Sequence, residues 1–285
     1  MQDHDSALPH YALAASDDEH RRLIALATAE EDRVRDACSR VRIGSGHHVV
    51  DLGCGPLGAL HALASVVGPT GSVTGIDASA AALDKARTLL RDEPVRFDHA
   101  DVNTLSPDEV PIADADLVFC RLFLLHQHDP AETIRRAATM LRPGGVFIAH
   151  EPSDELSGAP ASEPPVPAMT RVWDLVIRAA RARGAHTEFG RRGRHYFERA
   201  GLTVESHRAY VVHYPPALGV DIPRIALQSL RPTLEEHALA TREEVEQLNS
   251  ELEEASRRTD VQWVSSPLMF EWIARSSSNR ELFFA

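Results

Sequence analysis

The chain has 285 residues, of which 43% are hydrophobic and 25% are charged, as expected for a soluble globular protein with one large domain or one domain and a cap. Its formal net charge of −12 argues against a broad nucleic-acid-binding face and against attachment to an anionic membrane. The amino terminus lacks a signal-peptide pattern, and no apolar run is long enough to span a membrane, so we expect a cytoplasmic protein without a membrane partner.

The predicted elements begin with a helix over residues 16–41, for which Ser16 can act as the N-cap. Strands and helices then alternate as far as residue 150. Strands are predicted at 47–52, 72–76, 95–98, 115–120 and 146–149, with helices at 59–67, 80–90 and 130–141. This alternation predicts a doubly wound α/β fold around a mostly parallel sheet.

The pattern changes after Glu151, where residues 157–167 are rich in proline, alanine and serine and indicate a loop. Beyond the loop we predict helices at 169–183 and 190–200, a strand at 203–214, a mostly helical stretch at 221–259 and a final strand region at 261–274. Six aromatic side chains of this part can line an apolar pocket or form a core of their own: Trp173, Phe189, Tyr196, Phe197, Tyr210 and Tyr214.

A glycine-rich loop follows the first predicted strand. Gly53, Gly55 and Gly58 satisfy the spacing G-x-G-x-x-G, which dinucleotide-binding folds also use. Two neighbours argue against a pyrophosphate: the carboxylate of Asp51 would repel it, and Pro56 has no N–H to donate to it. The loop therefore favours a ligand without phosphate, and Asp51 can reach the loop backbone or an ammonium group.

Acidic residues also follow the next two strands. Asp77 can accept hydrogen bonds from both hydroxyls of a ribose, and Asp101 can accept one from an adenine amino group. The backbone N–H of Val102 would donate to a ring nitrogen. Each acid alone could be a cap or a turn residue, but three at successive strand ends would meet in the crevice where such sheets bind ligands.

Five segments between residues 47 and 151 resemble, in order and spacing, the motifs of class I S-adenosylmethionine-dependent methyltransferases. The segments are VVDLGCGPLGAL, VTGIDAS, DHADVN, ADLVFCRLFLLHQHDP and LRPGGVFIAHEPS. The resemblance implies a seven-stranded Rossmann-like sheet whose last strand is antiparallel, with S-adenosylmethionine as the cofactor. Leu57 departs from the family, which usually has glycine there, and we expect it to narrow the methionine pocket slightly.

The amino-terminal segment resembles a helix of ubiquinone- and menaquinone-methyltransferase-like enzymes of natural-product biosynthesis. In that group the helix covers the cofactor, which implies that Tyr11 closes over the donor and that Arg22 pairs with its carboxylate; the alternative is that Tyr11 packs and Arg22 lies at the surface. The resemblance also implies a division into a lid (1–46), a cofactor-binding core (47–151) and a cap carrying the last strands of the sheet (152–285).

The predicted cofactor-binding residues are Tyr11, Arg22, Asp51, Gly53, Cys54, Gly55, Asp77, Ala78, Asp101, Val102 and Arg121. The candidates for catalysis follow the fourth and fifth strands. His126 or His150 could accept a proton from the acceptor, although a histidine is more often structural, and Glu151 could bind a substrate or cap a turn. The three cysteines lie far apart and show no metal-ligand spacing, so no metal is predicted.

The sequence thus predicts an enzyme that transfers a methyl group from S-adenosylmethionine to an O, N or C atom of a small organic acceptor, such as a secondary metabolite. One alternative keeps the fold and the cofactor but catalyses a step without methyl transfer, such as cyclisation. An NAD-dependent oxidoreductase is opposed by Asp51 and Pro56, and a non-catalytic binding protein requires Leu57 to block the pocket. Amphipathic stretches near both ends favour a homodimer, but they can equally pack on their own chain.

Overall fold

The computed structural model describes residue 13 and residues 16–104, 114–155 and 158–277. The strands in these ranges are β1 (His48–Leu52), β2 (Ser72–Asp77), β3 (Val95–His99), β4 (Ala115–Arg121), β5 (Leu141–Pro152), β6 (Ser162–Glu163), β7 (Thr203–Tyr210), β8 (His213–Tyr214), β9 (Trp263–Ser265) and β10 (Met269–Arg275). The α-helices are α1 (Asp17–Ala29), α2 (Glu31–Arg40), α3 (Leu60–Val67), α4 (Ala80–Leu89), α5 (Pro130–Ala138), α6 (Pro167–Ala182), α7 (Phe189–Arg199), α8 (Pro216–Glu236) and α9 (Arg242–Ser256).

Seven strands form the central sheet in the order β3-β2-β1-β4-β5-β10-β7. Strands β1 to β5 are parallel, and β10 runs antiparallel to both of its neighbours. The predicted doubly wound, seven-stranded and mostly parallel sheet with an antiparallel last strand is therefore confirmed. The carboxyl ends of the five parallel strands meet at one edge, where ligands bind in folds of this kind.

Helices cover both faces of the sheet, so its strands are apolar on both sides. Val49, Leu117 and Ile148 pack against α2, α3 and α4 on one face. Their chain neighbours Val50, Val118 and Phe147 pack against α5 and α7 on the other. This alternation follows from the two-residue period of a strand.

A third apolar cluster joins α6, α8 and α9 with Leu13, and α8 also contacts α1. These helices lie over the carboxyl edge together with a small antiparallel sheet of β6, β9 and β8. We call α1, α6, α8, α9 and this small sheet the cap. No helix in the described ranges is long and apolar enough to cross a membrane.

Several predicted elements differ from those observed, and each difference has a tertiary cause. The helix predicted over 16–41 is two helices that meet at Glu30, whose φ of −107° and ψ of 6° leave the helical region; its predicted cap is confirmed, since Ser16 Oγ accepts from Glu19 N. The fifth strand is longer than predicted, and β10 pairs with its carboxyl-terminal half. The predicted strands 203–214 and 261–274 each divide in two, because their parts join different sheets.

Candidate cofactor and acceptor site

A cavity of about 520 Å³ lies between the carboxyl edge of the sheet and the cap. Its sheet side is formed by the loops after β1 to β4, and its cap side by α1, α6, α8 and β8. The predicted residues on the sheet side are Asp51, Gly53, Cys54, Gly55, Asp77, Ala78, Asp101, Val102 and Arg121. The cap side is mainly apolar and includes Leu13, Met169, Val172, Trp173, Val176, Ile177, Tyr214, Ile222 and Ala226.

The loop after β1 turns sharply because two of its glycines have positive φ and close neighbours. Gly53 has a φ of 62°, and a Cβ there would collide with the ring of Phe123. Gly58 has a φ of 51°, and a Cβ there would collide with Asp51 Oδ2 and the carbonyl of Cys54. Only glycine combines this backbone with such close contacts, so the loop forms an open cradle beside the cavity.

Asp51 holds the glycine loop by a hydrogen bond to the backbone. Its Oδ2 accepts a hydrogen bond of 2.7 Å from Ala59 N, just before α3 begins. Burial raises the pKa of Asp51 to about 7, an effect that the Ala59 N–H and the charge of Arg121 partly offset. Asp51 thus lines the cavity and fixes the loop at the same time.

Asp77 closes the cradle at the end of β2. Its Oδ2 accepts from Gly55 N and its Oδ1 from Ser79 N, both at 2.8 Å. Burial raises its pKa, and the two N–H groups lower it. A carboxylate oxygen can accept more than one hydrogen bond, so each oxygen can also accept from a ribose hydroxyl.

Asp101 and Val102 complete the sheet side beyond β3. Asp101 Oδ1 accepts from Asn103 N at 2.9 Å, which leaves its second oxygen for a ligand. Cys54 is buried, and burial raises the pKa of its thiol, so its backbone faces the ligand as an unreactive part of the loop. The carboxylates can accept hydrogen bonds from hydroxyls and from an amino group, and the glycine loop offers no phosphate site. This set of residues fits S-adenosylmethionine.

Comparison with known proteins agrees with this geometry. The family model described as a methyltransferase domain matches residues 43–201, more than half of the chain. The chain belongs to this S-adenosylmethionine-dependent methyltransferase family. The predicted resemblance and the predicted cofactor are thereby confirmed.

The relatives of this methyltransferase differ in their named substrates. A trans-aconitate 2-methyltransferase of Methylobacterium nodulans is 31% identical over 62% of the chain and 66% of its own length. A demethylmenaquinone methyltransferase of Halalkalibacterium halodurans is 28% identical over 50% of the chain and 55% of its own length. The match thus spans about half to two thirds of these relatives. The solved structure of the [4+2]-cyclase SpnF has the same fold, with a TM-score of 0.52 at 17% identity over 87% of this chain and 82% of that one.

The three predicted catalytic residues lie in different places. His126 lines the cavity from the short 3-10 turn Leu124–His126. His150 is fully buried between Glu271 Oε2, 3.2 Å from its Nε2, and the Tyr210 hydroxyl, 3.1 Å from its Nδ1. Neither His150 nor Glu151 is among the described residues that line the cavity. Direct contact of these two side chains with an acceptor is therefore not supported by the geometry.

Glu151 instead holds the loop that carries Phe123. Its Oε1 accepts from the backbone N–H groups of Phe123 and Leu124 at 3.0 and 2.8 Å. Burial raises its pKa to about 8, against the lowering effect of these N–H groups. Because Phe123 lies against Gly53, Glu151 positions the glycine loop through Phe123.

The two predicted arginines line the cavity, each next to a carboxylate. Arg22 donates to Glu19 at 2.6 Å, and Arg121 Nη2 donates to the carbonyl of Gly58 at 3.2 Å. Arg121 Nη1 lies 3.6 Å from Glu30 Oε2. Tyr11, the remaining predicted cofactor-binding residue, lies outside the described residues.

The structure also corrects one expectation, decides between two alternatives and adds one residue. Leu57 is buried in the core under the loop and does not narrow the cavity. Of the six cap aromatics, Trp173 and Tyr214 line the cavity, and the others pack elsewhere in the described part of the chain. Glu30 was not predicted, since an acidic residue inside an apparently continuous helix gives no sign that it faces a ligand.

Proposed function

We propose that the protein transfers the methyl group of S-adenosylmethionine to an O, N or C atom of a small organic acceptor, such as a secondary metabolite. The observation that carries this proposal is a single cavity with a polar sheet side and an apolar cap side. In the proposed division, residues 47–151 hold the donor, residues 1–46 cover it, and residues 152–285 supply the cap and the last strands of the sheet.

The sheet side binds and orients the donor. Asp77 accepts from the ribose hydroxyls, Asp101 from the adenine amino group, and the backbone of the glycine loop faces the methionine part. Arg22, on α1, pairs with the donor carboxylate. When bound, the donor supplies an activated methyl group on a sulfonium, so positioning the acceptor supplies much of the remaining catalysis.

The cap side selects the acceptor. Met169, Trp173 and Ile177 project from α6, and Ile222 projects from α8, toward the cavity. Trp173 Nε1 is buried and has no hydrogen-bond partner in the described part of the chain, so it can donate to an oxygen of the acceptor. The cavity volume lies within the range of ordinary small-molecule pockets, which fits an acceptor much smaller than a protein or a nucleic acid.

We assign the acceptance of a proton from the acceptor to His126. It lines the cavity from the loop after β4, and neutral imidazole is a base near physiological pH. Glu151 acts as a positioning residue through the Phe123 loop.

The test combines binding and turnover. Calorimetry with S-adenosylmethionine is expected to show micromolar binding, with no binding of NAD. Incubation with a panel of phenols, amines and enolisable ketones should release S-adenosylhomocysteine together with a methylated product. A rearranged product without S-adenosylhomocysteine would favour the cyclisation alternative, and absence of donor binding would overturn the proposal.

A further inference from the structure

Each guanidinium group at the cavity lies beside a carboxylate that neutralises its charge. Arg22 pairs with Glu19 at 2.6 Å, and Arg121 faces Glu30 at 3.6 Å. All four side chains are at most 11% exposed. Three further carboxylates, Asp51, Asp77 and Asp101, line the sheet side, so acidic groups outnumber arginines around the cavity.

The Glu30–Arg121 pair differs from an ordinary buried ion pair. Among the described residues, neither Glu30 Oε2 nor Arg121 Nη1 has a hydrogen-bond partner, although both atoms are buried, and the 3.6 Å between them is too long for a hydrogen bond. Each residue is held by its other atom: Tyr214 OH donates to Glu30 Oε1 at 3.3 Å, and Arg121 Nη2 donates to Gly58. The pair thus leaves one acceptor and one donor unsatisfied beside a ligand cavity, and such atoms are costly unless a ligand uses them.

We propose that Glu30 and Arg121 bind an uncharged hydroxyl of the acceptor and disfavour an acceptor that carries a carboxylate at this position. The inference rests on the proposed function, because it assigns the acceptor of that same site. A hydroxyl both donates and accepts, so it can donate to Glu30 Oε2 while it accepts from Arg121 Nη1. An ammonium would satisfy Glu30 and leave Arg121 without an acceptor.

A carboxylate fits the site poorly for two reasons. It could accept from Arg121, but it would lie against Glu30 and near Asp51, and it has no proton to donate to either. The positive charge of Arg121 is already neutralised by Glu30, and Arg22, which pairs with Glu19, is assigned to the carboxylate of the donor. The acceptor is therefore a largely apolar molecule with a hydroxyl, unlike the tricarboxylate for which some relatives are named.

Three probes with one ring system test this selectivity: naphthalene, 2-naphthol and 2-naphthoate. Their dissociation constants are measured at neutral pH by calorimetry with saturating S-adenosylhomocysteine. The wild-type protein should bind 2-naphthol at least about tenfold more tightly than either of the others, as expected for hydrogen bonds to charged groups. Equal or tighter binding of 2-naphthoate would overturn the inference, and so would failure of all three to bind.

Substitution of Glu30 gives the sharper test. In Glu30→Gln the charge of Arg121 is no longer neutralised, so binding of 2-naphthoate should strengthen about tenfold and that of 2-naphthol should weaken. The matched control is Glu205→Gln, the same change in an exposed ion pair with Arg275, which should leave the preference as in the wild type. An unchanged preference in a folded Glu30→Gln protein would overturn the inference.

If Glu30→Gln does not fold, Arg121→Gln tests the other partner. Loss of the cation should weaken both 2-naphthol and 2-naphthoate by about tenfold, and unchanged affinities would overturn the inference. S-adenosylmethionine binding by the wild type separates the two levels: if it fails, the proposed function is wrong. If the donor binds and the probes show no preference for the hydroxyl, only the acceptor inference is wrong.

Discussion

The two sides of the cavity are built in different ways. On the sheet side, Asp51, Asp77 and Asp101 each accept at least one backbone N–H, so their positions are fixed before any ligand arrives. On the cap side, apolar residues from distant segments surround a few buried polar atoms without hydrogen-bond partners, on Trp173 and Glu30.

This difference separates the binding of the donor, which the members of a family share, from the choice of the acceptor, which differs between members. A preorganised set of hydrogen bonds suits a ligand that stays the same among relatives. The polar atoms of the cap side that lack a hydrogen-bond partner are instead assigned to the acceptor, whose identity differs between relatives. Substitutions of Asp51, Asp77 or Asp101 should therefore weaken donor binding, and those of Trp173 or Glu30 should change the acceptor preference alone.

The largest effect is expected for Asp77→Asn. The amide loses the charge that serves both the N–H groups of the loop and the ribose, so donor affinity measured by calorimetry should fall about 100-fold. Asp116→Asn is the control, because Asp116 also accepts a backbone N–H, from His48, but at the opposite edge of the sheet. Similar losses in both variants would contradict the assignment of the donor to the carboxyl edge.

His126→Gln should come next. The variant keeps a polar side chain but cannot accept a proton at neutral pH, so we expect kcat with a hydroxyl acceptor to fall about 10- to 100-fold. Donor affinity should change by less than about threefold, since His126 lies outside the hydrogen bonds of the glycine loop. A kcat equal to that of the wild type would show that another group accepts the proton.

Trp173→Ala removes an aromatic wall of the cap side and its unpartnered N–H donor. The KM of the acceptor should rise about tenfold while the dissociation constant of the donor stays within about twofold. Trp263→Ala, at a half-exposed tryptophan of β9, is the control with the same change in size. Weaker donor binding in Trp173→Ala would mean that the two sides of the cavity are not separate.

The smallest effect concerns the pH dependence of stability. The pKa of Glu151 is about 8 in the folded protein, above its ordinary value of 4.5, so the folded state retains a proton that the unfolded state loses. Its stabilising contribution is complete below about pH 4.5 and is lost as the pH rises through 8. We therefore expect the free energy of unfolding of the wild type to fall as the pH rises from 5 to 8.

Glu151→Gln keeps an oxygen for the N–H groups of Phe123 and Leu124 but cannot ionise, so this decrease should become smaller. Part of the decrease in the free energy of unfolding should remain, because Asp51, whose pKa is about 7, also loses its proton in this pH range. Chemical denaturation at several pH values measures the effect. Glu132→Gln is the control, because the pKa of that exposed carboxyl is lowered by Arg135 and lies below this range. An identical slope in Glu151→Gln would contradict the assigned pKa.

The sheet side of the cavity could be predicted because each strand, and the loop that follows it, is formed by residues that are adjacent in the sequence. Gly53 and Gly58 have a positive φ, and Asp51 and Asp77 lie in the last two residues of their strands. The parallel order of the strands brings these ends to one edge, whatever the rest of the chain does. The sequence alone therefore determined the fold class, the glycine loop and the acids around it.

The tertiary structure decided the cap side. Glu30 reaches Arg121 only because the first helix breaks at that residue, and Tyr214 contacts Glu30 only because β8 leaves the main sheet for the small one. His150 and Glu151 are adjacent in sequence but point to opposite faces of β5, toward Glu271 and toward the Phe123 loop. Contacts between segments that are far apart in the sequence depend on how the helices pack, and no local pattern in the sequence encodes that packing.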